Sequence, residues 1–191
     1  QKIIVEKKNK EILDSIQYAK RLQEAILPQK KIVKEWLPLS FIFYSPKDIV
    51  AGDFYWMESF NGWVYFAVAD CTGHGVPGAM VSVVCSGALS KALVEESKTS
   101  PADILDVTRS LVIKRFGKSE EEIKDGMDIS LCALNLKSNQ LQWAGANNPL
   151  WVIRNGSDVV EVYKGDNQPI GRYTTSDSFK NHIINLNKGD G

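Results

Sequence analysis

The chain is poor in cysteine and histidine and has no surplus of either charge. Its three cysteines, Cys71, Cys85 and Cys132, are odd in number and widely spaced. They fit neither a disulfide framework nor a zinc site and predict a reducing, cytoplasmic setting. Lys+Arg and Asp+Glu number 23 each, so charge gives no case for nucleic acid or an anionic membrane as partner. No apolar run reads as long enough to span a bilayer, and the first residues are too polar for a secretory signal. There is no internal repeat, no low-complexity tract and no GxxxxGKS/T phosphate loop. What remains is ordinary for one soluble domain with a short appendage: 43% hydrophobic and 24% charged residues in a chain of 191.

Residues 3–27 read as one helix. Ile12, Ile16, Ala19, Gln23 and Ile26 recur at steps of four and three and share a face, and Pro28 ends the pattern. That face fits packing on the chain's own domain or a short coiled coil with a second copy, a homodimer through residues 3–27. Beyond Trp36 the texture changes to short runs of aromatic and β-branched residues: 39–45, 54–59, 63–69, 129–136, 140–144, 149–154 and 158–163. Turn pairs such as Asn61-Gly62 and Asn155-Gly156 separate several of them. Two helices interrupt the strands. One starts near Pro77 and runs through Ala79–Glu95. The other has Ser100 as N-cap, Pro101 in its first turn and Gly117 as its stop. Strands, two helices, then strands again predict an α+β fold, with strands apolar on both faces and so covered on both sides.

Asn61-Gly62 is the strongest hairpin signal, because both residues tolerate positive φ. With that pair as the loop, Ser59 faces Val64, Met57 faces Phe66 and Tyr55 faces Val68. One further step sets Asp53 opposite Asp70, with Cβ atoms about 4.5–5.5 Å apart. Two carboxylates so placed repel. They can share a proton, splay apart at a frayed end, or bind a hard divalent cation. After Asp70, the run Cys71-Thr72-Gly73-His74-Gly75-Val76-Pro77-Gly78 packs three glycines between a strand and a helix start. It serves equally as a tight turn or as a backbone approach to an anionic ligand. A third acid, Asp128, immediately precedes an apolar strand, while Asp125 reads as a turn residue. His74 suits either a proton donor or a cap for the turn or following helix. His182 reads as structural.

Val50-Ala51-Gly52-Asp53-Phe54-Tyr55, Ala67 to Ala79 around Asp70-Cys71-Thr72-Gly73-His74-Gly75, and Met127-Asp128-Ile129-Ser130 together resemble the PPM superfamily of metal-dependent protein phosphatases, in its SpoIIE-like bacterial branch. Leu141 to Pro149 and Gln168-Pro169-Ile170-Gly171 resemble later motifs of that branch. The resemblance spans roughly residues 38–191. It implies an αββα sandwich, four layers with two antiparallel sheets flanked by helices, over residues 37–191. Residues 1–36 would form a helical linker carrying a signal from an upstream sensor. It also implies two ions, Mn²⁺ or Mg²⁺, held by Asp53, Asp70, the backbone carbonyl of Cys71 and Asp128, with Asp70 bridging both. The implied reaction is hydrolysis of phosphoserine or phosphothreonine by a metal-activated water. The implied substrate is a phosphorylated regulatory protein such as an anti-sigma-factor antagonist.

Two departures stand out. A further metal-binding aspartate of the family falls beyond the Gly189-Asp190 position, so the domain is expected to lack its C-terminal end. The basic phosphate clamp of eukaryotic relatives has no match beyond Lys47, which is a candidate by proximity alone. These departures keep open a non-catalytic module that retains the fold. A nucleotide-binding enzyme lacks any base- or ribose-recognition motif.

Overall fold

The computed structural model describes residues 2–117, 125–174 and 176–191. Within them lie helices α1 (Lys2–Glu24), α2 (Lys30–Trp36), α3 (Gly75–Ser90) and α4 (Pro101–Phe116). The strands are β1 (Phe54–Phe60), β2 (Trp63–Cys71), β3 (Met127–Asn135), β4 (Gln140–Ala146), β5 (Leu150–Ile153), β6 (Val160–Tyr163) and β7 (His182–Asn185). Both sheets are antiparallel. One is five-stranded, ordered β1-β2-β3-β4-β7, and the other pairs β5 with β6. The α+β class with two sheets and flanking helices is therefore as expected.

Local chemistry explains the elements. Asn61 (φ 51°) and Gly62 (φ 80°) form the hairpin loop, and the register pairs Phe60 with Trp63 and Tyr55 with Val68. The Ser100 hydroxyl accepts a bond from the Asp103 amide at 3.2 Å, and Gly117 closes α4. Residues alternate along β2. Tyr65, Ala67, Ala69 and Cys71 turn to the helical side, where they join Cys85 and Leu89 of α3 and Ile104 and Leu105 of α4 in the main core. On the opposite face Cys132, Leu141, Trp143 and Ile184 form a second cluster, against which Leu150 and Tyr163 of the small sheet pack. The indole of Trp143 donates to Ser130 Oγ at 2.8 Å and lies 5.1 Å from the His182 ring, so His182 belongs to this packing.

Four expectations change. Residues 39–45 form no strand: the segment is extended but has no ladder partner among the described residues, and Phe41 and Phe43 are 89% and 87% exposed. Its aromatic composition suits a sheet, but a strand requires a neighbour to satisfy its backbone. The first helix ends at Glu24, and a separate α2 follows Pro28. The third helix continues as a π-helical turn, Lys91–Glu95. Together Gly75–Glu95 make one helix of 21 residues, long and apolar enough to cross a membrane by length and composition, with 56% of its most apolar 18-residue stretch buried inside the protein. Finally, α1 divides its apolar stripe. Gln23 is buried and Ile16 and Ala19 are half-buried, whereas Val5 and Ile12, on the same stripe, are 58% and 56% exposed. The C-terminal half serves the chain's own domain, and the N-terminal half is uncovered.

Candidate metal centre

The carboxylates gather at one end of the large sheet, on the face turned away from α3 and α4. The β1–β2 ladder runs as far as Phe54 opposite Ala69. Asp53 stands one step beyond it, beside Asp70. Burial pushes the Asp70 carboxyl above its ordinary range, and the neighbouring Asp53 carboxyl pushes it the same way. A shared proton or a divalent cation relieves that repulsion.

By its position alone Asp128 reads as a strand-edge acid, and only the resemblance makes it a metal ligand. The β2–β3 register sets it directly opposite Asp70. Asp53, Asp70 and Asp128 thus form a row across three neighbouring strands. Sequence could not show this alignment, because β2 and β3 are separated by α3 and α4 and no short turn fixes their register. Asn147, in a left-handed conformation at φ 58°, donates from Nδ2 to Asp128 Oδ1 at 2.7 Å. Sequence reading gave Asn147 no such role. Thr72 donates to Asp125 Oδ1 at 2.8 Å and accepts from the Gly126 amide at 3.2 Å, which ties the loop before Asp128 to the end of β2.

The turn after Asp70 packs tightly on the segment that carries Asp53, just before β1. A Cβ on Gly52 would lie 2.7 Å from the Gly73 carbonyl oxygen and 3.1 Å from that of Cys71. The Cys71 carbonyl therefore faces the backbone leading into Asp53. Its thiol is buried, and a hydrogen bond with Cys85 together with burial raises its pKa far above the ordinary thiol range, so the side chain stays neutral. Two cavities open at this end. One of about 310 Å³ is lined by Tyr44, Asp53, Tyr55, Asp70 and Asn148, and one of about 260 Å³ by Asp70, Thr72, Asp128, Pro169 and Gly171. The Tyr44 hydroxyl donates to the Asp53 carbonyl at 3.1 Å.

The residues fit a divalent cation in part. The Asp53–Asp70 pair and the Cys71 carbonyl supply hard oxygen donors beside uncompensated negative charge. Among the described residues, however, no three His, Cys, Asp or Glu side chains converge into a ready-made cage. Lys47 is exposed.

One contact reaches this site from outside the sheet. Gln23 of α1 accepts from the Ala51 amide at 3.0 Å and donates to the Ala51 carbonyl and to Ser82 Oγ, at 2.5 and 2.9 Å. Helix α1 is thereby bonded to the backbone two residues before Asp53. On the sequence, Gln23 reads only as a member of the helix's packing face.

The family model for stage II sporulation protein E, SpoIIE, matches residues 61–191. The chain belongs to the SpoIIE family. Among solved structures, the SiaA-PP2C domain of Pseudomonas aeruginosa superposes with a TM-score of 0.83 at 30% identity, over 95% of this chain and 70% of that one. The PP2C phosphatase domain of SpoIIE from Bacillus subtilis, with a fragment of its regulatory domain, matches at 0.58 and 23% identity over 74% of this chain and 39% of that one. The RsbU and RsbW domains of a Mycobacterium tuberculosis protein match at 0.58 and 21% identity, over 76% and 38%. The last two show a common fold and span far more chain than is matched here. Direct comparison with curated proteins gives no match.

Proposed function

We propose that this SpoIIE-family chain is a metal-dependent protein serine/threonine phosphatase domain. Its substrate would be phosphoserine or phosphothreonine on a regulatory protein such as an anti-sigma-factor antagonist. The observation that carries this reading is the row of Asp53, Asp70 and Asp128 beside the glycine turn that opens α3. Bound Mn²⁺ or Mg²⁺, two ions in this reading, would activate water as a nucleophile and neutralise charge on the phosphoryl group. Asp53, Asp70 and the Cys71 carbonyl would hold the ions, with Asp128 joining from β3. The free amides at the start of α3 favour the negative phosphoryl oxygens. His74 donates a proton to the departing seryl or threonyl oxygen.

Control would enter through α1. Gln23 bonds the linker to Ala51, so moving α1 moves the segment that carries Asp53. The exposed stripe of Val5 and Ile12 suits pairing with a second copy, through which an upstream sensor would act. Three buried free thiols suit a cytoplasmic setting. One observation favours the rival, a non-catalytic module: no three ligating side chains converge among the described residues.

The test is hydrolysis of a phosphoserine protein with and without Mn²⁺, by wild type and Asp70→Asn. Metal-dependent turnover that the substitution abolishes is expected. Metal-independent activity, or full activity in the variant, overturns the reading.

A further inference from the structure

The geometry points to Asp48 as a positioning residue for His74, and this rests on the phosphatase reading above. Asp48 Oδ2 lies 3.1 Å from His74 Nδ1. Asp48 is the only polar partner of the His74 side chain among the described residues. His74 occupies the N-cap position of α3, yet its side chain makes no capping bond. Capping therefore does not account for this ring. Its one polar bond is spent on a carboxylate, which leaves Nε2 free.

The two residues stand on the two segments that carry the paired aspartates. Asp48 precedes Asp53 in the lead-in to β1, and His74 follows Asp70 in the glycine turn. Those segments meet where a Cβ on Gly52 would approach the Gly73 carbonyl to 2.7 Å and one on Gly78 would come within 3.1 Å of the Gly52 Cα. The dyad therefore bridges the same junction that brings Asp53 beside Asp70. His74 is 78% exposed at its side chain, so a substrate can reach it.

The hydrogen bond at one ring nitrogen sets which nitrogen carries the proton. With Nδ1–H donated to Asp48, Nε2 is the atom that gives and takes a proton. As the water oxygen bonds to phosphorus and the P–O bond to the seryl oxygen breaks, its electron pair stays on that oxygen, which takes the Nε2 proton of the His74 imidazolium. The imidazole is left neutral, with Nδ1–H still on Asp48. A seryl alkoxide is a poor leaving group and needs that proton; p-nitrophenolate needs it far less.

The experiment compares Mn²⁺-loaded wild type, Asp48→Asn, Asp48→Glu and His74→Gln on a phosphoserine peptide and on p-nitrophenyl phosphate. The expected result is a fall of about tenfold to a hundredfold in kcat on phosphoserine for Asp48→Asn. The fall on p-nitrophenyl phosphate should be markedly smaller, and Asp48→Glu should restore part of the loss. Nitrogen-15 NMR of the imidazole rings, of which the chain has two, supplies a readout that needs no metal. Neutral His74 is expected as the Nδ1–H tautomer in wild type, shifting toward Nε2–H in Asp48→Asn. An active enzyme indifferent to Asp48→Asn, an equal loss on both substrates, or a wild-type Nε2–H tautomer overturns the positioning role. A His74→Gln variant as active as wild type on phosphoserine removes the proton-donor role and Asp48 with it. A wild type inert toward both substrates instead overturns the phosphatase reading itself and takes the dyad's role with it.

Discussion

Asp70 and Asp190 are both carboxylates at the margin of a sheet, and their surroundings are opposite. The side chain of Asp190 is only 2% exposed and is ringed by donors. The Asn187 and Asn155 amides each donate to it at 2.9 Å, and Arg154 Nη1 lies 2.8 Å away. These bonds hold its carboxyl at about 2. Asp70 is the more exposed of the two, yet its carboxyl is pushed upward, by burial and by Asp53. One aspartate has its charge answered by the protein. The other is set beside a second acidic group, and a shared proton or a bound cation must answer it. A carboxylate of the first kind builds structure: Arg154 also bonds the Asn185 carbonyl and Glu161, so Asp190 joins the ends of the small sheet and β7. In the proposed reading, a carboxylate of the second kind builds a binding site.

The largest test of that contrast is to neutralise each in turn. Asp70→Asn should abolish Mn²⁺ binding and metal-stimulated turnover. Asp190→Asn should lower the melting temperature while leaving Mn²⁺ affinity intact, as thermal unfolding and calorimetric titration would show. Equal effects on metal binding would erase the distinction.

Asn147→Ala sharpens the contrast at one remove. It frees Asp128 Oδ1 from the side-chain donor that holds it, and loss of such an orienting bond is expected to weaken metal affinity about tenfold to a hundredfold. Calorimetric titration checks it; an unchanged Kd would place Asp128 outside the ion's reach.

Gln23→Ala strips the Ala51 amide and carbonyl of their buried side-chain partner. About 1–3 kcal/mol of stability should be lost in denaturant unfolding, with weaker Mn²⁺ binding as the segment bearing Asp53 loosens. A stability loss with unchanged metal affinity would confine Gln23 to packing.

The smallest effect is in pH, and the two carboxylates should act in opposite directions. Asp190 has a depressed pKa, so its stabilisation is complete above the ordinary carboxylate range and is lost as pH falls toward about 2. Asp70 has a raised pKa, so the metal-free fold binds its proton more tightly than the unfolded chain does. Its contribution is fully present below the ordinary range and is lost as pH rises through the raised value. Melting curves of metal-free protein across acid pH should flatten at the upper step in Asp70→Asn and at the lower step in Asp190→Asn.

Much of this was legible where the deciding interactions are local. A two-residue turn fixed the β1–β2 register and so placed Asp53 against Asp70. Ser100, Pro101 and Gly117 marked both ends of α4. What was not legible depends on distant partners. The Asp70–Asp128 alignment crosses two helices. Phe41 and Phe43 carry strand chemistry without a strand beside them. Gln23 looks like one more position on an amphipathic face until Ala51 and Ser82 close around it, and nothing in the spacing of Asp48 and His74 announces their bond.

The central claim is that the Asp53–Asp70 pair is a cation site. Calorimetric titration of Mn²⁺ into wild type, Asp53→Asn and Asp70→Asn at neutral pH tests it most directly. Saturable binding by wild type that is lost in both variants is expected. Binding of equal strength in all three would contradict it.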